Sequence, residues 1–525
     1  MPITPYSGSW GKPQIQHLLR RTLFGFTKAD YAYFQGKTLN ATVTELLTVP
    51  ASAPPPPLVD YVGDATLTQG VDTWVNGPVD GNNTGNRQAS LRGWWAGLMI
   101  NQERNIREKM VMLWHDHIPT DIGNTVSEPI YCYRYNALLR QYALGNFKTL
   151  VRQMTIEPAM LYYLSGRSNT KSQANENFAR ELQELFTVGK DLPSYYTEGD
   201  VQTAAKVLTG WSTNNTTLTT TFTPLNHTTG NKTFSSFYNN TIITGKTIAD
   251  ATSGPDELDA LMNMIFSNAE VARYVVRKIY RFFVYYKIDA TVEANVIVPL
   301  ADLFRTGGYE IKPVMQALLT SQHFYDITNT TGSVIKNPVD HTIVFARVFG
   351  VTFPSISVPT DYKNLYQNWR FFNDSGNVQQ MRPGNPPNVA GWSAYYQAPT
   401  YHELWINAET LRQKKIFTDR LLTSNYNTTT KVDVLAFTAT LNSPSDPNAL
   451  IAEVIDLMLV QDLDTTLKAQ LKAILLSNQV DDTYWTVAWN NYVSNPSNTT
   501  YQATARTRLQ SLYQAIVGMA EYLLH

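Results

Sequence analysis

Apolar side chains recur every three to four positions along most of this chain, the period of a helix with one buried face. The stretch IQHLLRRTLFGF puts Ile15, Leu18, Leu19 and Leu23 on one stripe, with His17 and Arg20-Arg21 on the same helix. Gly25 interrupts it, and Thr27 can cap the next helix, so that 12 to 47 reads as helix, break, helix. The same period fills 89–114, 133–155, 174–187, 198–209, 256–283, 291–304 and 311–322. After Val432 it returns in ALIAEVIDLMLV, TTLKAQLKAILL and TRLQSLYQAIVGMAEYLL, which predict a helical lobe at the C-terminal end.

Three stretches depart from the period. Residues 49–88 contain VPASAPPPPLVDY and GPVDGNNTGNRQ, too rich in proline and turn residues for helix or central strand, and predict a long surface excursion. Residues 212–247, crowded with Thr and Asn in partial alternation, predict a short β-hairpin or an elaborated loop. From 352 to 400 the proline and glycine content predicts irregular structure. The expected class is mainly α: a multi-helix α/α globular body with long loops and a small β-hairpin insertion. Its expected parts are an N-terminal helical segment (1–48), the excursion (49–88) and a central helical lobe (89–350) carrying the insertion. An aromatic Pro/Gly loop region (351–405) and a C-terminal helical lobe (406–525) follow.

Composition narrows the function classes. Only 16% of the 525 residues are charged, against roughly 25% in an average globular protein, so Asn, Thr, Ser, Gln and Tyr must supply much of the polar surface. A net charge of -1 provides no field for nucleic acid or anionic membrane, and neither is an expected partner. The single cysteine, Cys132, excludes an internal disulfide framework and a thiolate cluster; a buried small side chain is its expected role. No run approaches the ~20 apolar residues of a membrane span, and the start MPITPYSGSWGKPQIQ has no basic-then-apolar signal segment, so the chain as given reads as soluble. There is no Walker loop, GxSxG elbow, CxxC or GxGxxG after a strand, which disfavours nucleotide-driven and α/β-hydrolase chemistry.

Two blocks carry candidate chemistry. In REKMVMLWHDHIPT, Glu108, Met112 and His115 share a helix face, and His117 falls at the helix end before Pro119. Imidazoles one residue apart at such an end can ligate one metal, or one can ligate while the other moves protons. The alternative is a hydrogen-bonded core His115 with His117 capping the C-terminus. In NENFARELQELF, Asn177, Glu181 and Glu184 align at i, i+4 and i+7, with Arg180 beside Glu184. Such carboxylates can bind a metal or serve as acid and base, with Arg180 separating their pKa values; an ordinary helix ion pair, with Asn175 or Asn177 as cap, is the alternative. Thr197 with Asp200 reads as a capping pair for a helix that Gly210 ends before Trp211, structural unless that ring faces a cleft. His227 sits in the polar stretch NHTTGNKTF, where packing does not require it. The loop NPPNVAGWSAYYQ displays Asn388, Trp392, Tyr395 and Tyr396, amides beside flat rings that suit either carbohydrate or an aromatic plug between lobes.

These blocks resemble the bacterial family known as domain of unknown function 1800. The matching segments are HLLRRTLFGFT (17–27), REKMVMLWHDHIP (107–119), NENFARELQELFTVG (175–189), YTEGDVQTAAKVLTGW (196–211) and NPPNVAGW (385–392), in the family's order. HTTGNKTF (227–234) looks like its His-x-x-Gly-x-Lys block, and VARYVVRKIYRFFVYYKID resembles members from the Bacteroidota. The resemblance implies an exported protein, extracellular or periplasmic, of a kind often encoded beside secreted sulfatase-like proteins, with polysaccharide use as its expected setting; it implies no established activity. Together these readings predict a His/Glu cleft built from His17, His115, His117, Glu181 and Arg180, with Asn177, Trp211, His227, Asn388, Trp392 and Tyr395 binding substrate. The expected activity is a hydrolase or lyase acting on carbohydrate polymer, with a divalent metal on His115, His117 and Glu184 as one version. The alternatives are a non-catalytic glycan-binding or cell-surface protein, and a redox metalloprotein.

Overall fold

The computed structural model describes residues 3–190, 195–326 and 332–525. Helix accounts for 57% of it and strand for 5%, so the protein is mainly α. The helices that frame the functional region are α1 (Lys12–Thr22), α2 (Thr84–Ile100), α3 (Arg107–His117), α4 (Pro129–Gln141), α5 (Glu176–Glu181), α6 (Glu198–Val207), α7 (Ser253–Ser267) and α8 (Ala269–Phe283). They are followed by α9 (Pro338–Val348), α10 (Tyr362–Val378), α11 (Ala408–Asp419), α12 (Pro447–Met458) and α13 (Thr499–Val517). One continuous cluster of buried apolar side chains extends from Ile15 to Leu523 and ties both ends of the chain into a common core. Among the described residues no helix is long and apolar enough to cross a membrane.

Long periodic stretches resolve into shorter helices where the chain offers a cap. The expected helix over 256–283 breaks at Asn268, whose side chain accepts from the Glu270 N–H and so starts α8. Thr197 forms the expected capping pair with Asp200, and Thr27 caps its helix as expected, with Asp30 as its partner. The Pro-rich excursion is anchored: Trp74 is fully buried and donates from Nε1 to Ser90 Oγ at 3.1 Å. The Thr/Asn-rich insertion forms two antiparallel hairpins, β1 (Trp211–Asn214) with β2 (Thr219–Phe222), and β3 (Lys232–Thr233) with β4 (Ile242–Ile243).

The expectation of irregular structure over 352–400 requires a correction. The span contains the seventeen-residue helix α10, which turns Leu365, Tyr366 and Phe372 into the core. It lies closely against α2 because α2 presents glycines at i and i+4. A Cβ on Gly93 would stand 2.5 Å from Tyr366 O, and one on Gly97 would stand 2.3 Å from the Trp369 ring. The polar outer face and Gly376 of α10 obscure its apolar stripe when the sequence is read alone.

The chain end is positioned by short backbone ties. His525 N–H donates to Val334 O at 2.8 Å, and Lys336 N–H donates to Leu523 O at 2.7 Å, which brings the His525 side chain next to the start of α9.

Candidate functional site

The helix α3 continues through His117, so Leu113-Trp-His-Asp-His keeps helical geometry and sends successive side chains about 100° apart. His115 lies edge-on to Trp95 and tilted on Trp392, with ring centroids 5.2 and 5.7 Å away. Its Nε2 accepts from the Gly384 N–H at 3.0 Å, which puts the ring proton on Nδ1. Asp116 accepts from the Trp392 N–H at 2.8 Å. Gly391, at φ +82°, lets the loop come this close: a Cβ there would stand 2.2 Å from Asp116 O. His117 turns the other way, among Trp114, Phe147 and Tyr274, and donates from Nε2 to Phe186 O at 3.0 Å. Burial pushes both histidines down to about 3, so both are neutral, and burial raises the Asp116 carboxyl.

Each of these three residues therefore docks a different backbone segment. The expected sharing of one metal by His115 and His117 with Glu184 is corrected by this geometry, because the two rings occupy separate aromatic pockets. Glu184 pairs instead with Lys190 at 2.8 Å. Among the described residues no group of three His, Cys, Asp or Glu side chains is gathered to hold a metal.

The second block meets the first, but through backbone. α5 passes at Leu182–Thr187 into a π-helical stretch, so the α-helical spacing that aligned Glu181 with Glu184 is interrupted between them. It is the Phe186 carbonyl that His117 touches. Glu181 is half-buried and its carboxyl is raised, by burial first and by Glu184 second. Arg180 is occupied by a bidentate pair with Glu198, both bonds 2.7 Å, and by Glu176 at 3.2 Å. Asn175 is the cap of α5, and Asn177 donates to Leu164 O at 3.4 Å.

His227 is buried although its neighbours are polar. Its Nδ1 donates to Thr209 O at 2.8 Å, and its Nε2 lies 3.1 Å from Glu257 Oε2 on α7. Lys232 Nζ lies 2.6 Å from that same oxygen. The His-x-x-Gly-x-Lys block thus folds back to place both basic groups on one buried carboxylate, fastening the hairpin insertion to α7. Trp211 packs on Phe222 at 5.0 Å. Trp392 is buried between α3 and its own loop, while Asn388 is exposed and donates to Tyr396 Oη at 3.2 Å.

His17 and Tyr395 lead elsewhere. On α1, His17 and the Arg20-Arg21 pair share a face at spacings of three and four, and all three are buried. His17 donates from Nε2 to Phe324 O at 3.1 Å; burial, reinforced by Arg21, holds it well below the usual histidine range. Arg20 donates to the carbonyls of Asp456 and Leu459 at 3.0 and 2.6 Å. These residues stand between two spaces. One is an open polar cleft of about 980 Å³ between α1 and α12, with His17, Arg20 and His525 in its wall and Lys12, Glu453 and Asp456 on its flanks. The other is a chamber of about 20 Å³, whose wall includes Arg21, Lys109, Asp340, Tyr395 and Trp405. Arg20 and His525 line both.

Asp340, at the start of α9, is the centre of this chamber. It takes an ion pair from Lys109 on one oxygen; on the other it takes the Asn337 amide at 2.6 Å and His525 Nε2 at 3.1 Å. Burial alone would raise its pKa, but Lys109 and His525 outweigh burial and hold the carboxylate far below its ordinary value. His525 is held down to about 3, chiefly by burial, and is neutral. Lys109 sits inside the REKMVMLWHDHIP block and Arg20-Arg21 inside HLLRRTLFGFT, so part of the chamber lay within the singled-out motifs. Lys336, Asn337, Asp340 and His525 carried no local spacing that marks them as neighbours. KNPVD signals only a capped helix start, with Asn337 accepting from the Asp340 N–H.

No curated protein and no solved structure matches the chain. A family model does, over nearly the whole length. On that match, covering residues 17–524, the chain belongs to the family described as Protein of unknown function (DUF1800).

Proposed function

We propose that this protein is a glycan-directed hydrolase or lyase that works in the cleft between α1 and α12, on polymer outside the cytoplasm. One observation carries the reading: a cleft of about 980 Å³, the upper end of the size usual for ligand pockets, ends at buried titratable groups, His17, Arg20 and His525. Its flanks are amides, carboxylates and ammonium groups, including Gln16, Asn442, Glu453 and Asp456, which suit the hydroxyls of a sugar chain.

The proton-transfer group in this reading is His525. Its Nε2 lies 3.1 Å from Asp340 Oδ2, and its buried Nδ1 has no hydrogen-bond partner. An imidazole set beside a carboxylate through one nitrogen, with the other nitrogen unpartnered, is the arrangement of an oriented general base. In hydrolysis it takes a proton from the attacking water. In elimination it takes the carbon-bound proton beside an acidic group, and the leaving oxygen departs from the neighbouring carbon.

The test is an assay of the intact chain against neutral and acidic polysaccharides, reading reducing ends for hydrolysis and ultraviolet absorbance of unsaturated sugars for elimination. At least one polymer should give product, and His525→Ala should lower its rate by about 100-fold or more while leaving the fold unchanged by circular dichroism. Absence of product from every polymer, or equal turnover by the folded variant, overturns the reading.

A further inference from the structure

A further pocket, of about 360 Å³, lies where residues 49–54 of the Pro-rich excursion cross α2, the start of α3, and α4. Its size falls within the range usual for small-ligand sites, and it shares no lining residue with the cleft or the chamber. The crossing strap, VPASAP, carries only small side chains, so it roofs the space without filling it. It is tied down at both ends of the pocket: Trp94 donates from Nε1 to Pro55 O at 2.8 Å, and Arg107 donates from Nη1 to Pro50 O and Ser52 O, each at 3.4 Å. The floor is one face of α4, on which Tyr133, Ala137, Arg140 and Gln141 recur at helical spacing.

The wall of this pocket carries two guanidinium groups and one carboxylate. The Arg140 side chain is 4% exposed and fully engaged. It pairs with Glu108 through Nε and Nη2 at 2.7 and 2.9 Å, donates from Nη1 to Asn136 Oδ1 at 2.7 Å, and lies 5.1 Å from the centre of the Trp94 ring. Arg107 comes second to the same carboxylate. Its Nε stands 3.8 Å from Glu108 Oε1, beyond hydrogen-bond distance, and that buried Nε has no hydrogen-bond partner. Among the described residues no other carboxylate is at ion-pair distance from either arginine. The pair of cations therefore exceeds its counter-charge by one, in a setting where burial weakens the competition from water. Burial, with Arg140 adding to it, lowers the Arg107 pKa against the opposing pull of Glu108.

The rest of the lining suits a ring. Tyr133 is half-buried, 5.6 Å from Trp94 between ring centroids, and faces a strap that contributes Val49, Pro50 and Pro54. We infer that this pocket is a second ligand site, taking a small molecule with one carboxylate on a ring. The carboxylate supplies the missing charge through charge-assisted hydrogen bonds from Arg107, and the ring lies between Tyr133 and the strap. Uronic acids and aromatic acids share this chemistry.

Binding here is measurable without turnover, so it can succeed or fail independently of catalysis in the cleft. Calorimetry on the full chain at constant ionic strength uses two matched pairs, glucuronate with glucose and benzoate with benzyl alcohol, and acetate as the carboxylate without a ring. Saturable binding of at least one of the two ring acids is expected, about tenfold or more tighter than its neutral counterpart and than acetate. Glucuronate as the tighter ligand assigns a sugar acid, and benzoate an aromatic acid. Arg107→Gln should weaken the preferred acid by about tenfold or more. Ala137→Leu, which fills the pocket and leaves both arginines in place, should abolish binding while circular dichroism and Tm stay near the parent's; it serves alone should the arginine variant fail to fold. Neutral counterparts that bind as tightly as the acids overturn the charge pairing, and acetate that binds as tightly overturns the ring assignment. No saturable binding of either acid, or equal binding by parent and the folded Ala137→Leu variant, overturns the site.

Discussion

Asp116 shows how a single side chain between two histidines organises the loop that passes over α3. Its carboxylate accepts from the Trp392 N–H in a fully buried setting, so removing the acceptor leaves that donor unsatisfied. Asp116→Leu should cost about 1–3 kcal/mol in urea unfolding, whereas Asp116→Asn, which keeps an oxygen in place, should cost less. Lys336 gives a pH signature. It faces Arg20, Lys109, Lys414, Asp340, His525, His341 and the Tyr522 ring. Its pKa falls from the ordinary 10.5 to about 7 in the native state, so between these values the unfolded chain binds more protons than the folded one. Stability should therefore rise as pH increases from about 7 towards 10, and lie at its low plateau below 7. The difference between parent and Lys336→Met unfolding across that window isolates this contribution; a flat difference counts against it.

At the level of elements, two contacts decide how helices and hairpins assemble. Gly97 allows α2 and α10 to approach until the Trp369 ring sits where a Cβ would be. Gly97→Ala should cost about 1–3 kcal/mol by thermal or denaturant unfolding, while Gly36→Ala, with open space at its Cβ position, should change little. The hairpin insertion depends on Glu257, which gathers His227 and Lys232. Glu257→Gln leaves a buried lysine without its charge partner and should cost about 3–5 kcal/mol. Hydrogen exchange should show the loss first in β1 to β4, because these short strands bury little apolar surface of their own. Uniform loosening across the whole chain would contradict that local role.

Across the whole molecule, the shared core and the ties between chain ends make the chamber a product of distant segments: α1, α3, the start of α9, the 394–405 loop and residue 525. Because α1 reaches α12 through Gln16 and Arg20 onto Asp456, calorimetry should give one cooperative unfolding transition; two well-separated transitions would show independent lobes. The period of apolar residues determined the helical class, the breaks at glycine and the capped starts at Thr27 and Thr197, because these depend on interactions within a few residues. The block patterns determined the family for the same reason: each block fixes a local turn, cap or docking surface. The direction of each charged side chain was not local. His115 and His117 look like partners one residue apart, yet helical geometry through His117 sends their rings to separate aromatic pockets. Arg20, Lys109, Asp340 and His525 look unrelated, yet packing brings them to one chamber. The apolar face of α10 is defined by partners distant in sequence, α2 on one side and Phe417 and Tyr426 on the other. Sequence by itself determined which segments form helices, since propensity, capping and period act over a few residues; only the tertiary structure decided which polar groups share a cavity, since burial and charge are set by whatever the chain folds against them.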